Sequence, residues 1–157
     1  VHLAVPAGRE MTYIDKLESP GPVRMASRVG ASVALHSSAV GKAYLAALDA
    51  ASRERLLRDL PLTARMPGTA TSLPALRAML DTAAARGYAT DDEENEAGIV
   101  CYGVALCDAA GRPIAGVSVS TLLFRRRGDP QAAYIEPLLR LRDAAAAKLA
   151  VLPSGGA

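Results

Sequence analysis

Hydrophobic positions along this chain switch between a strand period and a helix period, and the switches predict its elements. His2-Leu-Ala-Val5 and Met11 to Leu17 are short apolar runs separated by Pro6-Ala-Gly-Arg9, which predicts two strands in a hairpin-like opening. Ser19-Pro-Gly-Pro22 interrupts the pattern, Val23 to Val29 reads as a third strand, and Gly30 and Ser32 turn the chain. The spacing then becomes helical. Val40, Ala43, Tyr44, Ala47 and Leu48 fall on one stripe of a helix capped by Ser37 or Ser38, and Asp49 ends or re-caps it. Ser52 to Leu60 is a shorter helix with Leu56, Leu57 and Leu60 inward. Pro61 to Thr71 is a polar connection expected to be mobile. Ser72 caps a third helix with Leu73, Leu76, Leu80 and Ala83 or Ala84 as its core stripe, Pro74 in the first turn and Gly87 as the stop. Pro130 to Leu152 is predicted to be helical, with Leu138, Leu141, Ala145, Leu149 and Leu152 on one stripe, and Pro137 either starts this helix or kinks a longer one.

Between the last two helices lies the stretch that organises the rest, Asp91 to Ser120. An acidic loop leads into a strand, Ile99 to Cys107, in which bulky residues alternate with the small Cys101, Gly103 and Ala105. Asp108-Ala-Ala-Gly111 supplies turn chemistry, and Pro113 to Thr121 repeats the alternation, Val117 and Val119 interleaving with Gly116, Ser118 and Ser120. A two-residue or four-residue loop pairs residues whose numbers add to 219, so Cys101 is expected opposite Ser118, Gly103 opposite Gly116 and Ala105 opposite Ile114. One sheet face then carries a thiol, two hydroxyls and almost no side-chain volume. Such a face is either closely covered by a helix or hollow, and a hollow one with Asp91 at its rim is a pocket for a small oxygenated molecule.

Strands, helices, strands and a closing helix make an α+β domain with mostly antiparallel pairing. At 157 residues the chain is one domain, residues 1–152, with a disordered tail at 153–157. Half of it is hydrophobic, but only 4% is aromatic and there is no Trp, so stacking on nucleic-acid bases is a poor fit. Eighteen basic and 16 acidic residues in a mixed pattern give a net charge of +2, which excludes a nucleic-acid footprint and a membrane-surface patch. Arg125-Arg126-Arg127 reads as a solvated loop. Cys101 and Cys107 lie on one predicted strand, roughly 20 Å apart, too far to bridge each other. With no signal peptide and no long apolar run, this predicts a reduced, cytoplasmic protein without a membrane segment. The chain begins at Val1 inside an apolar segment, which suggests a piece of something longer.

Catalysis and metal binding find little support in the residue types. A nucleophilic Ser or Cys needs a base, and only His2 and His36 are available; His36, just before a helix cap, reads as a structural imidazole. No Cys, His or carboxylate spacing suits a metal. Gly41-Lys42 is not a phosphate loop, because His36 stands where that motif needs glycine. What remains is a helix start, Ala39 to Gly41, whose N–H groups could meet a carboxylate, Gly41 serving either close ligand approach or helix packing. Asp92 to Glu94 read as a solvated charge run, whereas Asp91 enters the sheet and could accept from a ligand hydroxyl. Cys101 is either a small buried hydrophobe or part of the site, and its position beside Ser118 favours the latter.

These segments together resemble the effector-binding domain of the IclR family of bacterial transcription regulators. The resemblance rests on Tyr13-Ile-Asp-Lys-Leu-Glu18, on Arg28-Val-Gly-Ala-Ser-Val-Ala-Leu-His36 running into Ala39-Val-Gly-Lys-Ala43, on Arg86-Gly-Tyr-Ala-Thr-Asp-Asp-Glu-Glu94, on Gly98-Ile-Val-Cys101 and on Ala115 to Ser120. It implies a GAF-like antiparallel sheet with helices on its faces, no catalysis and no cofactor. It also implies that a small organic, aromatic or sugar-derived acid is bound and that the domain forms a dimer or tetramer. DNA would be contacted only by an N-terminal winged helix-turn-helix domain absent from this chain. The family's ligand positions match Ala39, Val40, Asp91, Cys101, Ser118 and Ser120, beside which the helix-start reasoning puts Gly41. Two departures stand out: Ala39-Val40 replaces the Gly-Ala of some small-acid binders, and Ala34 stands where many members have Pro. The competing readings are an enzyme with Cys101 as nucleophile and a dimerisation module that binds nothing.

Overall fold

Two hairpins and two short flanking strands build one antiparallel sheet. Its strands are β1 (His2–Ala7), β2 (Glu10–Lys16), β3 (Ser32–Ala34), β4 (Ala89–Asp92), β5 (Ile99–Cys107) and β6 (Pro113–Leu122), in the spatial order β3-β2-β1-β6-β5-β4. The helices are α1 (Ala39–Ala47), α2 (Ala50–Arg58), α3 (Leu73–Arg86) and α4 (Glu136–Leu149). The computed structural model describes residues 1–20, 24–126 and 128–150. The architecture is the expected α+β one, and no helix among the described residues is long and apolar enough to cross a membrane.

Helix starts follow the caps. The Ser38 hydroxyl accepts from Gly41 N, the Asp49 carboxylate from Ser52 N and the Ser72 hydroxyl from Ala75 N, while Gly87 closes α3 at φ 81°. Helix α1 has no single buried stripe. Ala39 to Ala43 and Leu45 are all buried, because the sheet packs on one side and α3 on the other, whereas Tyr44, Ala47 and Leu48 are half-buried. Helix α4 departs further from its expected stripe. Pro137 stands in its first turn and starts it after a π-turn at Gln131–Ile135. Ile135 and Leu138 are buried, but Leu141 is 42% exposed. Leu152 and the tail at 153–157 lie outside the described residues.

The third strand is not where the hydrophobic run predicts it. Val23 lies outside the described residues, residues 24–31 form no strand, and β3 pairs with β2 at Met11↔Val33 instead. The reason lies in the backbone bonds. The Lys16 ammonium takes the carbonyls of Met25 (2.8 Å) and Ser27 (2.7 Å), oxygens a ladder would otherwise need. Gly30 does turn the chain, at φ 86°, whereas Ser32 is already in the strand. The connection at 61–71 is likewise tied down. The Thr69 hydroxyl donates to the Glu94 carbonyl and accepts from the N–H groups of Arg65 and Met66, and Ala70 is buried in the core.

The β5–β6 register is shifted by two residues from the expected one. Cys101 stands opposite Ser120, Gly103 opposite Ser118 and Ala105 opposite Gly116, so the paired numbers add to 221. Asp108 holds a five-residue turn by accepting from Ala110 N and Arg112 N, and a bulge between Leu106 and Cys107 restores the face assignment that an odd-length loop would invert. One face therefore packs Val100, Tyr102, Val104 and Val117 against Ile135 and Leu138. The other presents the small and polar residues to α1.

Candidate ligand-binding site

Helix α1 covers only half of that small-residue face. A Cβ on Gly103 would lie 2.7 Å from the Ala39 carbonyl group, and one on Gly116 would lie 2.5 Å from a Val40 methyl, so the helix rests directly on the strands there. Towards the other end of the strands the floor changes to Cys101, Ser118 and Ser120, and the helix gives way to a cavity of about 180 Å³. Its walls come from β1 and β2 through His2 and Tyr13, from the 25–33 segment, from the start of α1 through Ala39 and Val40, and from the acidic turn through Asp91, Asn95 and Glu96; Arg65 stands at its edge.

Six of the seven residues expected at a site line this one cavity: Ala39, Val40, Asp91, Cys101, Ser118 and Ser120. Gly41 does not. Its N–H is donated to the Ser38 hydroxyl at 3.1 Å, and an added Cβ would lie 2.5 Å from the Leu35 Cα, so its smallness serves packing on β3's end and not ligand approach. That leaves Ala39 and Val40 as the cavity-lining residues whose N–H groups open the helix.

Asp91 is 4% exposed. Its Oδ1 accepts from Glu94 N at 2.9 Å and Asn95 N at 3.2 Å, which folds the acidic turn. Oδ2 has no partner among the described residues. Burial raises the carboxyl to about 6 against the pull of those two N–H groups and of Lys42. Cys101 donates to the Ser120 hydroxyl at 3.1 Å, and burial, with Asp91 across the strand, pushes its thiol up to about 12. Such a thiol is a poor nucleophile. The imidazole of His2 is held at 2.6 Å from Ser27 Oγ, and that of His36 at 3.0 Å from the Thr63 carbonyl. Among the described residues, no three His, Cys, Asp or Glu side chains are grouped to hold a metal.

Pattern reading misjudges part of the acidic turn. Glu94, expected in solvent, is 6% exposed and pairs through both oxygens with the buried ammonium of Lys42. The signal was faint: a lysine in the first turns of an apolar helix needs a buried partner, and one carboxylate of the run must supply it. His2 and Tyr13 were missed because they reach the cavity through the pairing of β1 with β6, which sets His2 opposite Ser118, and nothing in the sequence points to Ser27 or Arg65. Arg125 and Arg126 are exposed, with Arg126 3.6 Å from Asp92, while Arg127 lies outside the described residues.

Comparison with known proteins agrees with this architecture. Residues 1–148 match the family model described as "Bacterial transcriptional regulator IclR C-terminal". The HTH-type transcriptional regulator XynR of Escherichia coli is 38% identical over 124 residues, which are 79% of this chain and 49% of XynR. The crystal structure of Thermotoga maritima IclR superposes with a TM-score of 0.87 at 36% identity, covering 95% of this chain and 60% of that one. An IclR homologue from Microbacterium hydrocarbonoxydans, crystallised with 4-hydroxybenzoate, superposes at 0.80 with 28% identity over 94% of this chain and 59% of its own. The chain thus spans about half the length of the curated relative, 49% in the case of XynR.

Proposed function

The chain belongs to the IclR family of bacterial transcriptional regulators, matching its C-terminal domain, and from that premise we propose that it is an effector sensor. A small organic, aromatic or sugar-derived acid occupies the cavity beside α1, and its binding is coupled to DNA binding by an N-terminal winged helix-turn-helix domain outside this chain. One observation carries the reading: a helix start, two serines and a thiol converge on one polar cavity. At about 180 Å³ it lies below the few hundred Å³ of drug-sized sites, which suits a small metabolite.

The chemistry of the walls supports an acid with a second oxygen. A buried carboxylate without donors is costly to desolvate, and the N–H groups of Ala39 and Val40 with the hydroxyls of Ser118 and Ser120 are the donors on offer. Asp91 meets the neutral oxygen at the other end. That a homologue holds 4-hydroxybenzoate, an acid with a hydroxyl, supports this class. The domain is read as non-catalytic, since the Cys101 thiol is held protonated, and the absence of a cofactor rests on the family resemblance alone. A dimerisation module that binds nothing would have its small-residue face filled by a helix; α1 fills only the glycine end. The domain acts within a dimer or tetramer, because an effector can bias a distant reading head only by favouring one arrangement of the assembly.

A thermal-shift screen against organic, aromatic and sugar acids identifies the effector, since a ligand at 100 times its Kd stabilises by about 2.7 kcal/mol. Calorimetry on Ser118→Ala with that acid then tests the position: a loss of about 0.5–3 kcal/mol in affinity is expected. Unchanged affinity removes the ligand from this cavity.

A further inference from the structure

The cavity described above has a charge problem if its ligand is an anion. Two carboxyls, Asp91 and Glu96, line it, against one guanidinium, the exposed Arg65. The nearby ammonium of Lys42 is already matched by the two oxygens of Glu94. Cys101 and Tyr13, facing Asp91 from β5 and β2, are acids held neutral by burial, and His2 on β1 is held neutral in the same way. A carboxylate entering here meets a buried like charge at close range in a poorly screened space. Two carboxylates so confined cannot both stay ionised without large cost, and the cheapest remedy is one proton.

Resting on the acid-sensing reading, we infer that the cavity binds its acid together with one proton, carried by Asp91, whose Oδ2 then donates a hydrogen bond to the ligand. The geometry divides the two oxygens for this. Oδ1 is committed to the N–H groups of Glu94 and Asn95 and can only accept, so it keeps the turn folded in either protonation state. Oδ2 has no partner among the described residues and is the oxygen that can carry the proton. This reverses the direction of the bond expected from sequence, in which Asp91 accepts from a ligand hydroxyl. It also makes Asp91 a specificity-determining residue: the site takes a monoanion with an acceptor oxygen and resists a dianion, for which no buried cation stands in the wall among the described residues. Free Asp91 sits at about 6, so at pH 7 it is mostly ionised and poised to gain a proton when an anion arrives.

The sign of the pH dependence follows. An anion raises the Asp91 pKa further, so binding takes up a proton in the window above about 6, and affinity falls as pH rises through it; below about 6 Asp91 is already protonated and its contribution is constant. The test is calorimetric titration of the domain with 4-hydroxybenzoate, lactate and gluconate, whose carboxyls are ionised throughout, at pH 6 and pH 8. Wild-type affinity for the acid that binds is expected to be about fivefold or more weaker at pH 8. Binding heats at pH 7.5 in phosphate and in Tris are expected to report uptake of close to one proton. Asp91→Asn keeps an acceptor for the turn and loses the titration, so its affinity is expected to be the same at both pH values. Wild-type binding that is independent of pH and takes up no proton overturns the inference and leaves the sensor reading intact. Proton uptake that persists in Asp91→Asn also overturns it, by placing the proton elsewhere. Failure of all three acids to bind at either pH overturns acid sensing and the inference with it.

Discussion

Replacing Gly103 with Ala puts a methyl carbon 2.7 Å from the Ala39 carbonyl group, backbone that cannot move aside without shifting α1. Overpacking of this kind costs about 1–3 kcal/mol, and urea denaturation is expected to show it. Gly68→Ala, whose new methyl would meet nothing nearer than 3.6 Å, is the matched control and is expected to be close to neutral. Two other residues oppose each other in the pH dependence of stability. Burial lowers His2 to about 4, so its contribution is complete above its unfolded value near 6.5 and is lost as pH falls through 4. Asp91, raised to about 6, contributes below its unfolded value and loses that contribution as pH rises through 6. Between pH 4 and 6 the two slopes offset each other. Thermal denaturation of His2→Phe is expected to fall in stability relative to wild type as pH rises through that range, and that of Asp91→Asn to rise. Much of this was readable residue by residue, since parity alone puts Cys101, Ser118 and Ser120 on one face. Gly41 was not, because an N-cap serine's choice of N–H depends on local geometry that spacing does not encode.

Among the elements, the acidic turn and α1 are joined by the buried Lys42–Glu94 pair, with side chains 3% and 8% exposed. Removing either charge leaves the other unmatched in the core, so Lys42→Met and Glu94→Gln are each expected to destabilise by about 3–5 kcal/mol in chemical denaturation. The double variant Lys42→Met/Glu94→Met is expected to recover much of that loss. The hairpin shows what a sequence conveys about elements and what it withholds. Alternation in Ile99 to Cys107 and Pro113 to Thr121 assigns faces, but register depends on the turn, where Asp108 and a bulge moved every pair by two residues without changing a face. The strand expected at Val23 to Val29 failed for a similar reason: the competing bonds come from Lys16, a residue nine positions before Met25. In α4 the inward face runs through Leu138, Leu139 and Arg142, which leaves Leu141 in solvent, and apolar spacing alone does not fix that rotation.

For the whole molecule, a net charge of +2 from mixed residues gives little counterion release. The isolated domain is expected not to bind duplex DNA at physiological salt while sedimenting as a dimer or larger assembly, which fluorescence anisotropy and analytical ultracentrifugation check. Tight sequence-specific DNA binding would contradict the division of labour proposed. The overall architecture was legible because its signals are local caps, alternations and turns; the cavity's full lining was not, because it gathers residues from both ends of the chain, as the approach of His2 to Ser118 shows. The contact between α1 and the glycines has a mechanical meaning. Where backbone lies against backbone there is no side-chain cushion to absorb displacement by changing rotamer. Helix α1, roughly 13 Å long, is therefore seated by its first turn, backbone on backbone at Gly103 and through the Val40 side chain at Gly116. Any shift of that first turn has to carry the strand beneath Gly103 along with it.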